Sequence, residues 1–373
     1  MTGAKSSLLR ADAVGERRSL LVRGLLAGAL ALVLVVTGLP TLPVVPARAA
    51  SASPPAAVNP DPVVQVVTDP GPTPVTGQIT TDTVWSPQGS PYVVTGTVQV
   101  MDGVALTLLP GTVVKLDGWD ARIVAFGQLL SLGTPQDRVV FTSIKDDTVG
   151  GDTNGDGSAT TPARGDWYHV SVQGAYDPQQ AANRVPSVFD YTDMRYGGYG
   201  SGSSCVYGEL NVGASTARVV VSNSSFTESM QAGIRLPYDP TLDGFVGVYD
   251  SHFGTSMCGI QTAGVGEIVG NTFEDSFTKY AFWAIFPDRV RFWFNTVYGK
   301  FVASGGSPAP TRAEIDVRYN HLIGGTASYG LAYQQLAEYT GNYWGDDLNT
   351  RGLPTECMTR DEARAYQPAI TYT

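Results

Sequence analysis

The sequence predicts an all-β chain that winds into a parallel β-helix, and three observations in its second half indicate this fold class. The apolar member of a short motif returns after 20 to 27 residues, which is typical of solenoids that tolerate loop insertions. The flanking segments alternate like strands, and neither leucine-rich nor helical periodicity is present. The motif itself, a Ser or Asn, a variable residue and a large apolar residue, occurs at Ser224-Ser225-Phe226, Ser251-His252-Phe253, Asn271-Thr272-Phe273, Asn295-Thr296-Val297, Asn320-His321-Leu322 and Asn342-Tyr343-Trp344.

The repeated polar residue indicates how successive coils are joined. An Asn or Ser at the same turn of each coil forms a ladder of side-chain hydrogen bonds inside the stack, as in other parallel arrays. We therefore expect Asn271, Asn295 and Asn320 to be buried in one column.

The first half of the chain carries a second pattern. Residues 104–115 read as a strand, a Pro-Gly turn and a strand, and residues 123–129 and 133–143 continue it. This run resembles the opening coils of secreted bacterial right-handed parallel β-helix repeat proteins, in which a Leu-Thr-Leu-x-Pro-Gly-Thr turn precedes a Gly-Thr... Val-x-Phe-Thr-Ser coil. The resemblance covers residues 77–373 and implies a single-stranded right-handed parallel β-helix with a pectin-lyase-like architecture. This scaffold hosts lyases, hydrolases and adhesins, so the resemblance does not define a function.

The N-terminal residues predict export. A basic start precedes an apolar run over residues 24–38, and Ala47-Arg48-Ala49 follows as a small-residue cleavage site, so residues 1–49 read as a signal peptide. An uncleaved anchor is the alternative, but the run is shorter than the ~20 residues that a membrane span needs. Because the arginine pair Arg17-Arg18 precedes the apolar run, the sequence does not decide between the general and the twin-arginine export pathway. Residues 50–76 read as a Pro-rich linker, and residues 77–373 as the β-helix.

The charge balance limits the classes of partner. The chain carries a formal net charge of −10, and after cleavage 18 basic and 32 acidic side chains would remain, a net charge of −14. This balance argues against nucleic acid or an anionic bilayer as partner and fits a secreted or cell-envelope protein that binds cations. We expect no membrane span in the mature chain. Binding of an acidic glycan would need a local basic patch.

Three cysteines leave at least one without an intramolecular partner. Cys205 and Cys258 fall on the same predicted strand column, with the coil of Ala232 between them. Two strand spacings are about 9.5 Å, beyond the roughly 7 Å limit between the α-carbons of a disulfide. We therefore expect no bond between Cys205 and Cys258, and the partner of Cys357 stays open.

The sharpest local motif is the run from Asp152 to Ser158. Asp152, Asn154 and Asp156 place oxygen ligands at alternate positions and Gly157 stands sixth, which is the first half of a calcium-binding loop. Ala163 replaces the bidentate Glu at position twelve, which excludes an EF-hand. The sequence predicts a weak calcium site, with a dissociation constant on the order of 10⁻⁴ to 10⁻³ M. The alternative is a solvated Asp/Asn/Gly turn. The missing ligands are expected from the acidic residues that bracket the loop, Asp146, Asp147 and Asp166.

A catalytic constellation is not evident, and catalytic residues stay unassigned. Calcium-dependent polysaccharide lyases of this fold share an Arg-x-Pro-x-x-Arg pattern, which Arg235-Leu236-Pro237 meets only in its first half. His169, His252 and His321 are dispersed and favour coil positions over a metal cluster. The sequence contains no nucleophile triad motif and no phosphate-binding loop.

Two outward columns contain candidate glycan-binding residues. Counting from the ladder places Ser222, Tyr249, Val269, Trp293 and Arg318 on one face, and Arg235, Gln261, Trp283 and Ala332 on another. Sugar rings stack on aromatic side chains, and Arg pairs with carboxylates. The aromatic and arginine residues of the two columns are therefore the candidate glycan-binding residues: Arg235, Trp283, Trp293 and Arg318. The alternative is that residues 305–311 form a loop over these aromatics.

These observations favour a secreted, non-catalytic protein that binds an extracellular polysaccharide or a cell-envelope polymer and has a calcium-binding loop. The alternative is a calcium-dependent polysaccharide lyase or a glycoside hydrolase of the pectin-lyase-like fold. An enzyme would need a Lys or Arg beside the acidic cluster in a groove, or two carboxylates about 5 to 9 Å apart across one. The sequence leaves the ligand and the oligomeric state open.

Overall fold

The computed structural model describes residues 65–66, 70–174, 185–202, 205–213, 217–236, 245–262, 266–285, 289–304, 314–323, 326–327 and 336–338. The chain divides into two compact units, and all of these residues belong to the second, Asn59–Thr373. The predicted signal peptide, the last repeat of the motif, Ala332, residues 305–311 and Cys357 lie outside the described residues. Within the described part of the chain, no helix has the length and apolar character needed to cross a membrane.

The described strands form a parallel β-solenoid, as the motif spacing predicted. The coils contribute strands to an eleven-stranded sheet and to a seventeen-stranded sheet, in which the first coils have one long strand each and the later coils two short ones. Every pairing described is parallel. The only helical segment in the described residues is a 3-10 turn, Pro87–Gly89. We name the resulting columns of strands face A, face B and face C, in the order in which a coil visits them.

Face A is the eleven-stranded sheet. Its strands, numbered in chain order, are β1 (Gln65–Val66), β3 (Thr83–Trp85), β5 (Ala105–Leu108), β7 (Gln128–Leu132), β10 (Ser187–Asp190), β13 (Arg218–Ser222), β16 (Phe245–Tyr249), β19 (Gly266–Val269), β22 (Arg289–Trp293), β25 (Glu314–Arg318) and β28 (Leu336–Glu338).

Faces B and C are the two columns of the larger sheet. Three long strands run across both columns, β2 (Thr73–Ile79), β4 (Tyr92–Val100) and β6 (Val113–Ala125). Face B continues with β8 (Val139–Ser143), β11 (Thr192–Arg195), β14 (Ser225–Thr227), β17 (His252–Phe253), β20 (Thr272–Phe273), β23 (Thr296–Val297) and β26 (His321–Leu322). Face C continues with β9 (His169–Val172), β12 (Gly208–Val212), β15 (Ala232–Leu236), β18 (Cys258–Thr262), β21 (Tyr280–Ile285), β24 (Phe301–Ser304) and β27 (Thr326–Ala327).

From β10 onward, the corner between faces A and B turns at a single residue in the left-handed backbone region. For a residue other than glycine this conformation costs about 1 kcal/mol or more, so the surrounding structure must hold it. Because the corner is so short, the strand on face B begins one or two residues after it. The corner residues, with φ between 46° and 73°, are Tyr191, Asn223, Asp250, Gly270, Phe294 and Tyr319.

The residue after each corner forms the predicted ladder. The backbone N–H of Ser224 donates to Oγ of Ser251 at 3.1 Å, and that of Ser251 donates to Oδ1 of Asn271 at 2.9 Å. The N–H of Asn271 donates to Oδ1 of Asn295 at 2.9 Å, and that of Asn295 to Oδ1 of Asn320 at 2.8 Å. Each of these amides is therefore satisfied by a side chain of the following coil.

The asparagine side chains also donate hydrogen bonds to the preceding coils. Nδ2 of Asn295 donates to the carbonyl oxygen of Ile268 at 2.9 Å, and Nδ2 of Asn320 donates to that of Phe292 at 2.7 Å. Asn271, Asn295 and Asn320 are at most 1% exposed. The expectation of one buried asparagine column is confirmed.

The apolar residue of the motif fills the core behind the ladder. Phe226, Phe253, Phe273, Val297 and Leu322 occupy one register column of face B and are fully buried. The first three rings stack at centroid separations of 5.3 and 4.8 Å. Because each ring packs on those of neighbouring coils, no coil buries its apolar face alone.

The solenoid begins earlier than the boundary expected at residue 77. Strand β1 pairs in parallel with β3, and β2 starts at Thr73 and pairs with β4. Strand β1 lies within residues 50–76 and β2 begins there. These residues were expected to form a linker because of their proline content. Proline is tolerated at a sheet edge, and these strands lie at the N-terminal end of both sheets, so composition alone does not mark the boundary.

The expectation that Cys205 and Cys258 are not bonded is wrong. They form a disulfide with a Cα–Cα distance of 6.0 Å. Cys205 does not lie on the strand column, because β12 begins only at Gly208. Its position ahead of the strand lets it reach across the intervening coil to Cys258. Ala232 packs against both cysteines, and Trp283 lies against the same cluster.

Replacing Asn295 by Ala should lower the free energy of unfolding by about 1 to 3 kcal/mol, because the buried N–H of Asn271 loses its acceptor. Urea unfolding followed by circular dichroism measures the change. Thr272→Ala is the matched control, since Thr272 is the exposed variable residue of a motif, and it should stay within about 0.5 kcal/mol of the unmodified protein. An Asn295→Ala midpoint equal to that of the control would contradict a ladder that stabilises the stack.

Candidate functional site

An exposed acidic loop connects β8 to β9. Asp147, Asp152 and Asp156 each offer a carboxylate oxygen, and these oxygens lie within 4.8 Å of one another. Oδ1 of Asp147 and Oδ1 of Asp156 are buried and have no hydrogen-bond partner among the described residues. Three carboxylates at this separation repel one another in the absence of a cation.

Hydrogen bonds within the loop hold the carboxylates in place. Asp152 accepts the backbone N–H groups of Asp156 at 3.1 Å and Gly157 at 2.8 Å. Asp156 accepts Nδ2 of Asn154 at 2.8 Å and the hydroxyl of Thr160 at 2.5 Å. The bond from Thr160 is the main reason that the pKa of Asp156 lies below its ordinary value. Asn154 thus directs its amide donor, not its oxygen, at the cluster.

The other two acidic residues assigned to the calcium site make ion pairs instead. Asp146 is buried and binds Arg195 at 2.7 Å. Asp166 binds Nζ of Lys145 at 2.8 Å and accepts the hydroxyl of Ser143 at 2.7 Å. Their charges are therefore balanced without a metal ion.

A buried lysine lies beneath the acidic loop. Lys115 is fully buried in β6, and its Nζ donates to the carbonyl oxygen of Gly151 at 2.5 Å. Burial lowers the pKa of Lys115, and the neighbouring carboxylates partly oppose this. The carboxylates of Asp147, Asp152 and Asp156 together with this ammonium group leave a local charge of −2, which matches one divalent cation.

Face A has the outward column predicted from the sequence. Ser222, Tyr249, Val269, Trp293 and Arg318 occupy equivalent positions on successive strands. The guanidinium group of Arg318 lies 5.6 Å from the centroid of the Trp293 ring. These two candidate glycan-binding residues are therefore in contact.

The charged groups next to Trp293 on face A are already paired within the protein. Arg318 binds Asp316 at 2.6 Å, and Arg291 binds Glu267 at 2.6 Å. Arg291 also lies 5.5 Å from the centroid of Trp293. The two cations next to the Trp293 ring each have a carboxylate partner, so the surface around Trp293 offers a ligand little uncompensated charge.

Arg235, Gln261 and Trp283 share one column of face C, as predicted, although Val302 follows Trp283 where the prediction placed Ala332. The register runs from Asn211 through Arg235 and Gln261 to Trp283, and then to Val302. Trp283 packs against the disulfide cluster. The four candidate glycan-binding residues are therefore divided between two faces, and Gln261 separates Arg235 from Trp283.

A surface that sequence reasoning missed lies at the edge of face C, and we call it the aromatic patch. Trp119, on the long strand β6, is 63% exposed, and its ring lies 5.5 Å from that of Tyr199, which is 38% exposed. Tyr168 lies 5.6 Å from Tyr207, and the Arg122 guanidinium lies 5.4 Å from the Tyr168 ring. The patch comprises Trp119, Arg122, Tyr168, His169, Tyr199 and Tyr207.

His169 contacts the aromatic patch through its ring and has its Nδ1 buried in face C. Its ring centroid lies 4.0 Å from that of Tyr168, and its Nδ1 is buried without a hydrogen-bond partner among the described residues. Burial, reinforced by the charges of Arg122 and Arg235, lowers the pKa of His169 to about 4. The imidazole is therefore neutral at physiological pH.

No protein-family model matches the chain, and neither does any curated protein or solved structure. The assignment of a function therefore rests on the geometry of the three faces.

The pH dependence of stability tests the environment of the partly buried His169. Its pKa is about 4 in the folded chain and ~6.5 in the unfolded chain, so the unfolded state takes up the proton first as the pH falls. Between pH 6.5 and 4, the protein should lose up to about 3 kcal/mol relative to a His169→Gln variant. Urea unfolding across this range measures the difference. Parallel pH profiles for the two proteins would contradict a neutral His169 with a buried Nδ1.

Proposed function

We propose that this chain is a secreted, right-handed parallel β-helix of the bacterial repeat type that binds an extracellular polysaccharide or cell-envelope polymer without cleaving it. The aromatic patch would be the binding surface. The observation that carries the proposal is the pair of neighbouring exposed rings, Trp119 and Tyr199, beside the Tyr168 and Tyr207 rings.

The exposure of these rings supports a ligand that stacks on them. A tryptophan that is 63% exposed leaves a large apolar surface in water. Sugar rings present apolar C–H faces and polar edges, and aromatic side chains with a polar atom, such as Trp and Tyr, suit both. Asp117 and Asp120, which flank Trp119, are exposed and offer acceptors for sugar hydroxyls.

The arrangement of the charged groups favours binding over lyase chemistry. The acidic loop lies over face B, where Asp146 bonds to Thr142 and Arg195 and where Lys115 reaches Gly151. Arg235, the candidate base of a lyase, lies on face C. A calcium-dependent lyase needs its metal and an available base at one substrate atom. Arg235 lies on another face, Lys115 beside the loop is fully buried, and Arg195 is paired with Asp146.

We further propose that the acidic loop binds calcium through Asp147, Asp152 and Asp156. The support is the local charge of −2 and the two unpartnered carboxylate oxygens. Oxygen ligands on a short loop are what a hard cation prefers. In this proposal calcium stabilises the loop and takes no part in a reaction.

Millimolar calcium should raise the melting temperature relative to chelator, because it binds the folded state. The double variant Asp152→Ala with Asp156→Ala should lose this increment and keep the fold, since the loop lies outside the core. Asp137→Ala with Asp275→Ala, which removes two exposed carboxylates elsewhere, should retain it. Calorimetry that gives the same melting temperature for the unmodified protein in calcium and in chelator would show that the loop is only a turn.

Loss of one exposed ring should weaken polymer binding about two- to tenfold, the value of one aromatic contact. The matched pair is Tyr199→Ala on the patch and Tyr298→Ala outside it, since these tyrosines are 38% and 44% exposed. Affinity electrophoresis in gels containing neutral or acidic polysaccharides, with pull-down on purified cell walls, measures the affinity. Equal loss in both variants, or no retardation and no capture by any polymer, would refute the patch as the binding surface.

A further inference from the structure

The exposed acidic loop contains the one Asn-Gly pair of the sequence, Asn154-Gly155. Both residues are exposed to solvent. Because glycine has no Cβ, a glycine after an asparagine leaves its backbone nitrogen unobstructed for attack on the carbonyl carbon of the asparagine side chain. No atom of the described chain, apart from its sequence neighbours, lies within 4 Å of the place that a Cβ of Gly155 would take. No neighbouring group therefore blocks this approach.

The N–H group of Gly155 also has no hydrogen-bond partner among the described residues. Asn223 provides the contrast, because the next N–H, that of Ser224, is buried and donates to Oγ of Ser251 at 3.1 Å. A nitrogen held in such a bond has to be released by local unfolding before it can react, whereas an exposed loop needs little or none. The structure therefore distinguishes two asparagines that are each followed by a small residue.

The side chain of Asn154 presents the wrong atom to a cation. Its Nδ2 donates to a carboxylate oxygen of Asp156 at 2.8 Å and to the hydroxyl of Thr160 at 3.2 Å. Asn154 stands at the third position of the calcium-like loop, where Asp and Asn both serve as oxygen ligands. Replacing this nitrogen by an oxygen would remove a donor from Asp156 and add a ligand atom.

We propose that Asn154 is a site of spontaneous deamidation in the folded protein, and that its conversion adds a fourth carboxylate to the acidic loop. The nitrogen of Gly155 bonds to Cγ of Asn154, the Cγ–Nδ2 bond breaks, and Nδ2 leaves as ammonia with the proton of the Gly155 N–H. Water then opens the cyclic imide at Cγ to give aspartate, or at the backbone carbonyl carbon to give isoaspartate. Both steps need only water, and no oxidation state changes.

The consequence of the conversion rests on the calcium site proposed above, whereas the conversion itself does not. One further negative charge joins the carboxylates of Asp147, Asp152 and Asp156 and increases their mutual repulsion in the absence of a cation. The number of charged ligands is one of the features that set the calcium affinity of a loop. The converted loop should therefore bind calcium more tightly.

The test follows Asn154 and Asn223 by peptide mapping with mass spectrometry while the full chain is incubated at neutral pH, folded or in guanidinium chloride. Digestion in heavy-oxygen water marks any conversion that occurs after unfolding. Folded Asn154 should convert within about tenfold of its rate in the denaturant, whereas folding should slow Asn223 by about a hundredfold or more. Asn154→Gln should show no mass gain at this position, because ring closure from the longer side chain is slow. A folded Asn154 that stays unconverted, or that is slowed as much as Asn223, would refute the modification.

Calorimetric titration with calcium tests the consequence separately. Asn154→Asp, which isolates the aspartate product, should bind calcium about threefold or more tightly than the freshly purified protein. Asn154→Gln, which keeps an amide, is the matched control and should not bind more tightly. Equal affinity of Asn154→Asp and the fresh protein would refute the fourth ligand and leave the modification intact. Absence of calcium binding in all three proteins would overturn the proposed calcium site, while the mass measurement would still decide the modification. Circular dichroism confirms that each variant keeps the fold.

Discussion

The structure depends on one repeated hydrogen bond, from the backbone N–H that follows a corner to a side-chain oxygen one coil away. The corner between faces A and B places a residue such as Asp250 or Phe294 at positive φ, a conformation that needs support. The following amide would be buried and unsatisfied without the side chain of Ser251, Asn271 or Asn320. A buried amide without a partner is costly, so a side chain with an oxygen is required at this position.

This bond also sets the register of the faces. Because the ladder fixes where each coil turns, the residues two positions before it align outward as one column, from Ser222 to Arg318. The apolar residue two positions after it enters the core, as Phe253 and Phe273 do. Each outward column is therefore a continuous surface to which every coil contributes one side chain. From β10 onward, differences in coil length fall at the other corners, as between β11 and β12.

The sequence contained enough to predict the parallel solenoid, the buried asparagines, the outward column of face A and the alignment of Arg235, Gln261 and Trp283 on face C, because these follow from a local motif with a regular consequence. It could not predict the disulfide, because Cys205 precedes its strand and its reach depends on the path of an irregular segment. The aromatic patch was missed for a similar reason. Trp119 lies on a long strand of the first coils and Tyr199 on a loop, so no spacing relates them. The contact between their rings exists only in three dimensions.

The most direct test of the ladder is amide hydrogen exchange at its residues. The backbone N–H groups of Ser251, Asn271 and Asn295 follow turns, yet each donates to a buried side-chain oxygen. We predict that they exchange as slowly as the amides of the adjoining strands, whereas the amide of Gly155 in the exposed acidic loop exchanges quickly. Exchange of the three ladder amides at the rate of Gly155 would contradict the claim that the side-chain ladder holds the coils in register.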